Sequence, residues 1–274
     1  MTPFVCATCG VQHAPTEEPP ESCAICADER QYVPASGQSW TTIEELRAQG
    51  YRNSIEELEP NLVSIVTEPT FAIGQHALLV RTPETNVLWD CLTVIDDATV
   101  DAIRPFGGID RIAISHPHFY DSCVEWARAF DATIHLPASD RRWVMRPDPS
   151  ISFFDADEFE LADGVVVVRV GGHFEGSTVL WWRDGADGRG ALLTGDSIAT
   201  VEDPRSVTIM YSYPNRIPLS ADEVRDVARR ALRRPFDRLY AGWRGDAIDA
   251  AAPEAIRSSV DRYARMVEGT WPRR

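Results

Sequence analysis

Short apolar runs separated by turn residues recur along most of the chain. Leu62 to Val66, Ala77 to Arg81 and Val87-Leu88-Trp89-Asp90 read as strands, with Pro83 to Asn86 as a turn between the last two. Arg111 to Ile114, Ala132 to Leu136 and Arg238 to Ala241 are further strand candidates. The valine run Val165 to Val170 suits a strand covered on both faces. Val179 to Trp182 and Ala191 to Thr194 flank the loop Asp184 to Gly190, a hairpin pattern. Helical spacing appears elsewhere. Thr41-x-x-Glu44 is a capping-box pattern that opens a helix over Thr41 to Ala48, ended by Gly50. Val100 to Ile103 and Ser122 to Phe130 read as short helices. Ser220-x-x-Glu223 caps a helix with Val224, Val227, Ala228, Ala231 and Leu232 on one face, ended by Pro235. Pro253 to Val267 is a last amphipathic helix, with Ile256, Val260, Tyr263 and Val267 aligned. This order suits an α+β protein in which sheets pack together with helices outside.

Composition narrows the class. At 274 residues and 44% hydrophobic content the chain can build a large core in one or two domains. A net charge of −15 argues against nucleic-acid or anionic-membrane partners, which favour basic surfaces. All of its positive side-chain charge is arginine, because the sequence contains no lysine. No apolar run approaches the roughly 18 residues of a membrane span, and Met1 to Cys6 lacks the pattern of a signal peptide. The expectation is a cytoplasmic protein with a small-molecule substrate, and a homodimer is compatible with it.

Candidate chemistry begins at the N-terminus. Cys6-x2-Cys9-x13-Cys23-x2-Cys26 places two thiolate pairs in a polar, Pro-rich segment. Each pair forms a knuckle that faces one ion, and two knuckles close a tetrahedral site. So polar a segment has too few apolar residues to fold without such a staple. With four thiolates present, the site has a structural or electron-transfer role, and His13 is a bystander. Phe4 to Val33 resembles a zinc ribbon. Through Cys9-Gly10, Pro19-Pro20-Glu21 and Cys23 to Cys26 it resembles still more the rubredoxin-type module of rubrerythrins. That resemblance implies zinc or iron. The expected division is a ribbon module over 1–36, a linker with short helices over 37–60, and a second domain over 61–274.

In that second domain, metal-type side chains follow predicted strands beside glycines or proline. They are His116 and His118 in Ser115-His-Pro-His-Phe-Tyr-Asp121, His173 after Gly171-Gly172, and Asp196 after Gly195. Two histidines two residues apart at a strand end project to the same side if the strand alternation continues. Glycine turns let strand-end side chains converge. Three imidazoles, a carboxylate and an open position form the ligand set of a catalytic zinc.

The order strand, His-x-His, Gly-Gly-His, Gly-Asp resembles the metallo-β-lactamase superfamily over about residues 61–274, and Val87 to Asp90 resembles its early strand ending in Asp. The resemblance implies an αββα sandwich with metal at one edge of two sheets. The chain departs from the family motif His-x-His-x-Asp-His: Tyr120 stands at its Asp and Asp121 at its last His. Trp243, in the turn Ala241 to Gly245, stands where a final ligand histidine is expected. The first metal site is therefore intact and the second has lost its usual ligands.

The expected activity is mononuclear zinc hydrolysis of an ester, thioester, lactone or amide carbonyl. The metal ligands would be His116, His118 and His173, with Asp196 ligating or bridging. Asp121 or Asp196 would orient the water or take its proton, and Tyr120 would donate to the developing oxyanion. Two plainer readings stand beside these: Asp121 as a helix N-cap and Tyr120 as a rim or core tyrosine. Cys91 and Cys123 read as small buried hydrophobes, and His76 and His135 as satisfied strand residues. Two other functions compete. One is a redox protein similar in architecture to flavodiiron proteins, against which Pro117 stands in place of their acidic ligand. The other is a binding protein that kept the fold with a degenerate site.

Overall fold

The computed structural model describes residues 1–272. Two sheets carry the architecture. The first has seven strands in sequential order: Arg52–Glu59, Leu62–Glu68, His76–Val80, Val87–Trp89, Arg111–Ala113, Thr133–Pro137 and Ile151–Phe154. Its first four strands run antiparallel and its last four parallel. The second has six: Glu158–Ala162, Val165–Arg169, Thr178–Trp182, Ala191–Leu193, Arg238–Tyr240 and Ala247–Ile248. It is antiparallel apart from the pairing of Ala191–Leu193 with Arg238–Tyr240.

Period-two alternation explains why these strands read as nearly continuous apolar runs: both faces of each sheet are covered. Leu62, Leu78, Val80, Val87 and Trp89 from the first sheet pack on Val165, Val167, Leu180, Trp182 and Leu193 from the second. The alternate residues of the second sheet, Val166, Val168, Val179, Trp181 and Leu192, face helices Ala221–Ala231 and Ala252–Val267. Those of the first sheet, Val63, Ile65, Ala77, Leu79, Leu88 and Ile112, face helices Asp97–Ile103 and Cys123–Phe130. The result is the αββα sandwich expected from the sequence. The Ser220–Glu223 capping box forms as read.

The N-terminal module is not a separate bead. Cys6, Cys9, Val11, Cys23, Ile25 and Cys26 belong to the same buried cluster as the outer face of the first sheet. Its small sheet pairs Val5–Cys6 with Trp40–Thr41, so the module runs past residue 36. The segment 37–60, read as a linker with short helices, holds the expected helix as Ile43–Ala48 and also the edge strand Arg52–Glu59. The helix is capped by Thr42 and Glu45, one residue beyond the expected box, because Thr41 is taken into the strand pair. The edge strand escapes a hydrophobic reading because its sequence, RNSIEELE, is almost wholly polar, as suits an edge protected from further pairing.

His76 is a satisfied strand residue. Ser64 Oγ lies 3.1 Å from its Nδ1 and the Ala241 carbonyl 2.8 Å from its Nε2. Burial lowers its pKa to about 4. The unfolded chain takes up that proton near 6.5. The stability this group contributes is present above the unfolded pKa and is lost as pH falls toward 4, by roughly 3 kcal/mol in all. Urea midpoints should therefore fall more steeply between pH 6.5 and 4 in the native protein than in His76→Gln. Equal slopes would refute the assignment.

Candidate metal centre

The strand Arg111–Ala113 delivers the first two histidines, but not by simple alternation. His116 is extended, with φ −169 and ψ 169, and Pro117 then starts a single 3₁₀ turn, Pro117–Phe119. That turn swings His118 back so that its Nδ1 faces the other ligands. His173 follows two glycines at positive φ, 71 and 80. A Cβ on Gly172 would lie 2.7 Å from Val227, so the turn can hug the helix below only without a side chain. Gly195, at φ 54, is pressed against the first motif: a Cβ there would lie 2.3 Å from Ser115 Oγ. The Asp196 turn therefore sits directly on the His116 strand.

Four side chains converge as a result. His116 Nε2 lies 3.1 Å from Asp196 Oδ1, and His173 Nε2 lies 3.7 Å from the same oxygen. His118 Nδ1 lies 3.2 Å from His173 Nε2. The four candidate ligand atoms are all within 4.8 Å of one another. All four residues are buried, and the Asp196 side chain, at 7% exposure, is the part of the cluster that reaches solvent.

Outer nitrogens hold two of the three rings, while that of His118, Nε2, is buried without a partner. Ser115 Oγ is 2.9 Å from His116 Nδ1, and the Ser115 backbone N–H donates to Asp90 Oδ1 at 2.7 Å. His173 Nδ1–H donates to the Tyr211 carbonyl at 2.8 Å, which leaves its Nε2 lone pair facing inward. The Gly176 N–H donates to Asp140 Oδ1, which braces the loop that carries His173. Losing such an outer partner typically costs roughly 10- to 100-fold in metal affinity. Ser115→Ala should weaken metal binding at this centre by about that factor, read by competition with a chelator; unchanged affinity would refute the role.

Electrostatics match a cation site. Burial, then the neighbouring imidazoles, holds His116 well below the usual histidine range. Burial, His173 and Arg30 do the same for His118. Burial lowers His173 to about 4. Burial, with Asp90 nearby, pushes the Asp196 carboxyl well up. Neutral imidazoles are the form that ligates. His116 Nε2 and Asp196 Oδ1 are buried without a hydrogen-bond partner, a costly state that a divalent ion at their common focus removes. The residues present thus fit a metal ion.

The four N-terminal cysteines form a second such group. Cys6 and Cys26 sulfurs are 3.6 Å apart and Cys9 and Cys23 sulfurs 3.7 Å, too far for disulfides and right for one shared ion. Hydrogen bonds from Cys26, Cys6 and Cys9 pull the Cys23 thiol well down. Gln38 Nε2 donates to Cys6 Sγ at 3.1 Å. His13 stands outside the group, its ring edge-on to Trp40.

Two expected catalytic residues are placed elsewhere. Asp121 is neither a ligand nor the N-cap, which is Ser122. Its carboxylate accepts from Thr93 Oγ1 and Gln75 Nε2, and its carbonyl accepts from the Gln12 N–H at 3.0 Å. Thr93 Oγ1 also lies 3.0 Å from the Gly10 carbonyl, so Asp121 fastens the cysteine module to the sheet instead of reaching the histidines. A left-handed backbone, φ 42, turns it that way. Tyr120 is likewise outside the four-residue group. It is buried with an unpartnered hydroxyl and lines a small cavity with Val11, Gln12 and Met145 under the module.

Trp243 packs edge-on to Phe119 and donates to the Ile73 carbonyl, so hydrocarbon stands where a last histidine was expected. Burial pushes the Cys123 thiol up to about 12 and Cys91 well above its usual value, which fits inert core thiols. His135 is tilted over Phe159. Ser115 and Asp140 escaped the sequence reading. Only Ser115, next to His116 at a strand end, offers a local signal.

Comparison with models of known protein families gives no match. Among solved structures, the DIM-1 metallo-β-lactamase aligns with a TM-score of 0.58 at 15% identity, covering 77% of this chain and 97% of that one. TMB-1 aligns at 0.59 and 18% identity, covering 77% and 98%. A B3 metallo-β-lactamase with an active-site glutamic acid aligns at 0.54 and 15%, covering 84% and 94%. At these identities the likeness shows the fold, which is that of the metallo-β-lactamases, here preceded by a four-cysteine module. One curated relative is far nearer in sequence: the uncharacterized protein YmaE of Bacillus subtilis (strain 168) is 46% identical over 268 residues, 97% of each chain. Identity of that level over almost the whole length means that this chain belongs to the same family as YmaE.

Proposed function

We propose that this protein is a metal-dependent hydrolase with one catalytic ion, zinc, acting on a small molecule through an ester, thioester, lactone or amide carbonyl. The observation that carries the reading is the convergence of His116 Nε2, His118 Nδ1, His173 Nε2 and Asp196 Oδ1 within 4.8 Å at one edge of the sandwich. The metallo-β-lactamase names of the structural neighbours support the reaction class. The loss of Asp and His at positions 120 and 121, with Trp243 in the last turn, supports one ion and not two.

Zinc in this position supplies Lewis acidity and a nucleophile from water at neutral pH. The residues do the rest. Ser115 and the Tyr211 carbonyl hold the His116 and His173 rings in the ligating tautomer. Asp196, the member that reaches solvent, orients the incoming water and accepts its proton, the duty expected of either Asp196 or Asp121. Phe174, with its ring centroid 4.9 Å from that of His118 and 5.0 Å from that of His173, keeps the inner side of the centre dry. The ion of the four-cysteine site, zinc or iron, has a structural role, since thiolates fill its shell.

The test is a panel of esters, thioesters, lactones and amides assayed with zinc-loaded protein, alongside metal analysis. Turnover that disappears in Asp196→Asn with retained fold supports the reading. A fully loaded protein with no turnover on any class would leave a metal-binding protein without catalysis.

A further inference from the structure

Arg30 belongs to the four-cysteine module, yet its guanidinium packs on Phe174, the ring beside the histidine centre. Its Cζ stacks 4.4 Å from the Phe174 ring centroid and 4.5 Å from that of Tyr211, with Trp143 at 6.0 Å. Phe174 is the neighbour of His173 in sequence and packs on the ring of His118.

The segment that carries Arg30 is tied down at several points. Tyr211 OH donates to Glu29 Oε1 at 2.6 Å, and Ser212 Oγ donates to the Arg30 carbonyl at 2.9 Å. Asn215 Nδ2 donates to the carbonyls of Glu29 and Gln31. Tyr211 in turn receives His173 through its own carbonyl. Arg30 and the metal-facing histidine therefore share one rigid mounting.

Only part of the guanidinium is used. Nη1 pairs with Asp28 Oδ1 at 2.8 Å. Nε is buried without a partner, and Nη2 has none among the described residues. Nε and Nη2 form one edge of the planar group, the edge that takes a carboxylate side-on with two parallel hydrogen bonds. Stacking occupies the faces of the group and leaves that edge without a partner. Arg47 Nε and Arg234 Nε are also buried without partners, so what sets Arg30 apart is its place against Phe174, the ring that packs on His118.

We propose that Arg30 is the anion-recognition residue of this centre, and that the substrate carries a carboxylate that Nε and Nη2 bind while its carbonyl lies at the histidine cluster. This rests on the hydrolase reading and narrows it to acyl compounds with an acidic group near the scissile bond. It also assigns the four-cysteine module a part in the site, because the module supplies the recognising side chain.

The experiment uses the zinc-loaded full chain and calorimetric titration. The probes are acetohydroxamic acid, a zinc ligand without a carboxylate, and the monohydroxamates of malonic, succinic and glutaric acids, which add a carboxylate at increasing reach. At least one acidic probe should bind about 10- to 100-fold more tightly than acetohydroxamic acid. Arg30→Met, which keeps an apolar stem between the rings, should abolish that preference and leave acetohydroxamic acid unaffected. Arg30→Lys, which keeps the charge without the fork, should retain only part of it. If all probes bind the native protein without preference for a carboxylate, or if the preference survives in Arg30→Met, Arg30 is a staple and the proposal falls while the hydrolase reading stands. If no hydroxamate binds the loaded protein, the centre has no exchangeable position, and both readings fall together.

Discussion

Replacing Cys23 and Cys26 together by serine is expected to unfold most of the chain, not only its first forty or so residues. All four thiols are at most 1% exposed, and they share a core with Val63, Ile65, Leu79, Leu88 and Ile112 of the first sheet. Asp121 and Thr93 fasten the same seam with buried hydrogen bonds that solvent would have to replace. A closed thiolate site contributes about 10–16 kcal/mol in isolated zinc-binding peptides, against a net stability of about 5–15 kcal/mol for a typical domain. The loss exceeds what the sandwich can spare. Circular dichroism melts of the double variant should lack the native transition, and soluble yield should collapse. A variant that melts cooperatively near the native temperature would show that the sandwich is independent of the module.

His116→Ala should act in the opposite way, sparing the fold and emptying the centre. The ring is enclosed by His118, His173, Phe119 and Phe174 at the end of an already paired strand, so its removal leaves a cavity at an edge and does not break a ladder. Removing a ligand should cost more than the roughly 10- to 100-fold assigned to an outer partner. Metal analysis should lose one ion per chain, with the thiolate-bound ion retained, and hydrolysis should fall in proportion to occupancy. Unchanged metal content would remove the basis of the site assignment.

The parts legible in the sequence were those in which a local pattern dictates a tertiary outcome. Paired cysteines at fixed spacing, and histidine or aspartate beside a glycine turn at a strand end, each constrain geometry over a few residues. The four thiols and the four candidate ligands His116, His118, His173 and Asp196 were readable for that reason. The valine- and leucine-rich runs pointed to sheets packed together with helices outside, and the resemblance to the metallo-β-lactamase superfamily supplied the αββα order.

What was missed depends on packing between distant segments. Asp121 was read from its place beside a motif, but a left-handed backbone and the partners Thr93 and Gln75 turn it toward the module. The strand Arg52–Glu59 carries no apolar alternation because it lies at an edge. Arg30 sits in an unremarkable Asp-Glu-Arg triplet, and only the stacked rings of Phe174 and Tyr211, far along the chain, give it a place.

The two metal-capable groups also differ in how much chain each one spans. The thiolate group is closed between Cys6 and Cys26, whereas the histidine centre needs residues from His116 to Asp196 on two docked sheets. During synthesis the N-terminal segment leaves the ribosome first, with a complete set of soft ligands and nothing yet to pack against. An ion taken there would be the one the translating cell offers, and later docking would seal it inside the core. The imidazole–carboxylate centre comes into being only with the finished fold and stays in contact with solvent through Asp196. Growth conditions should therefore decide the identity of the sealed ion, and dialysis of the purified protein should exchange only the other.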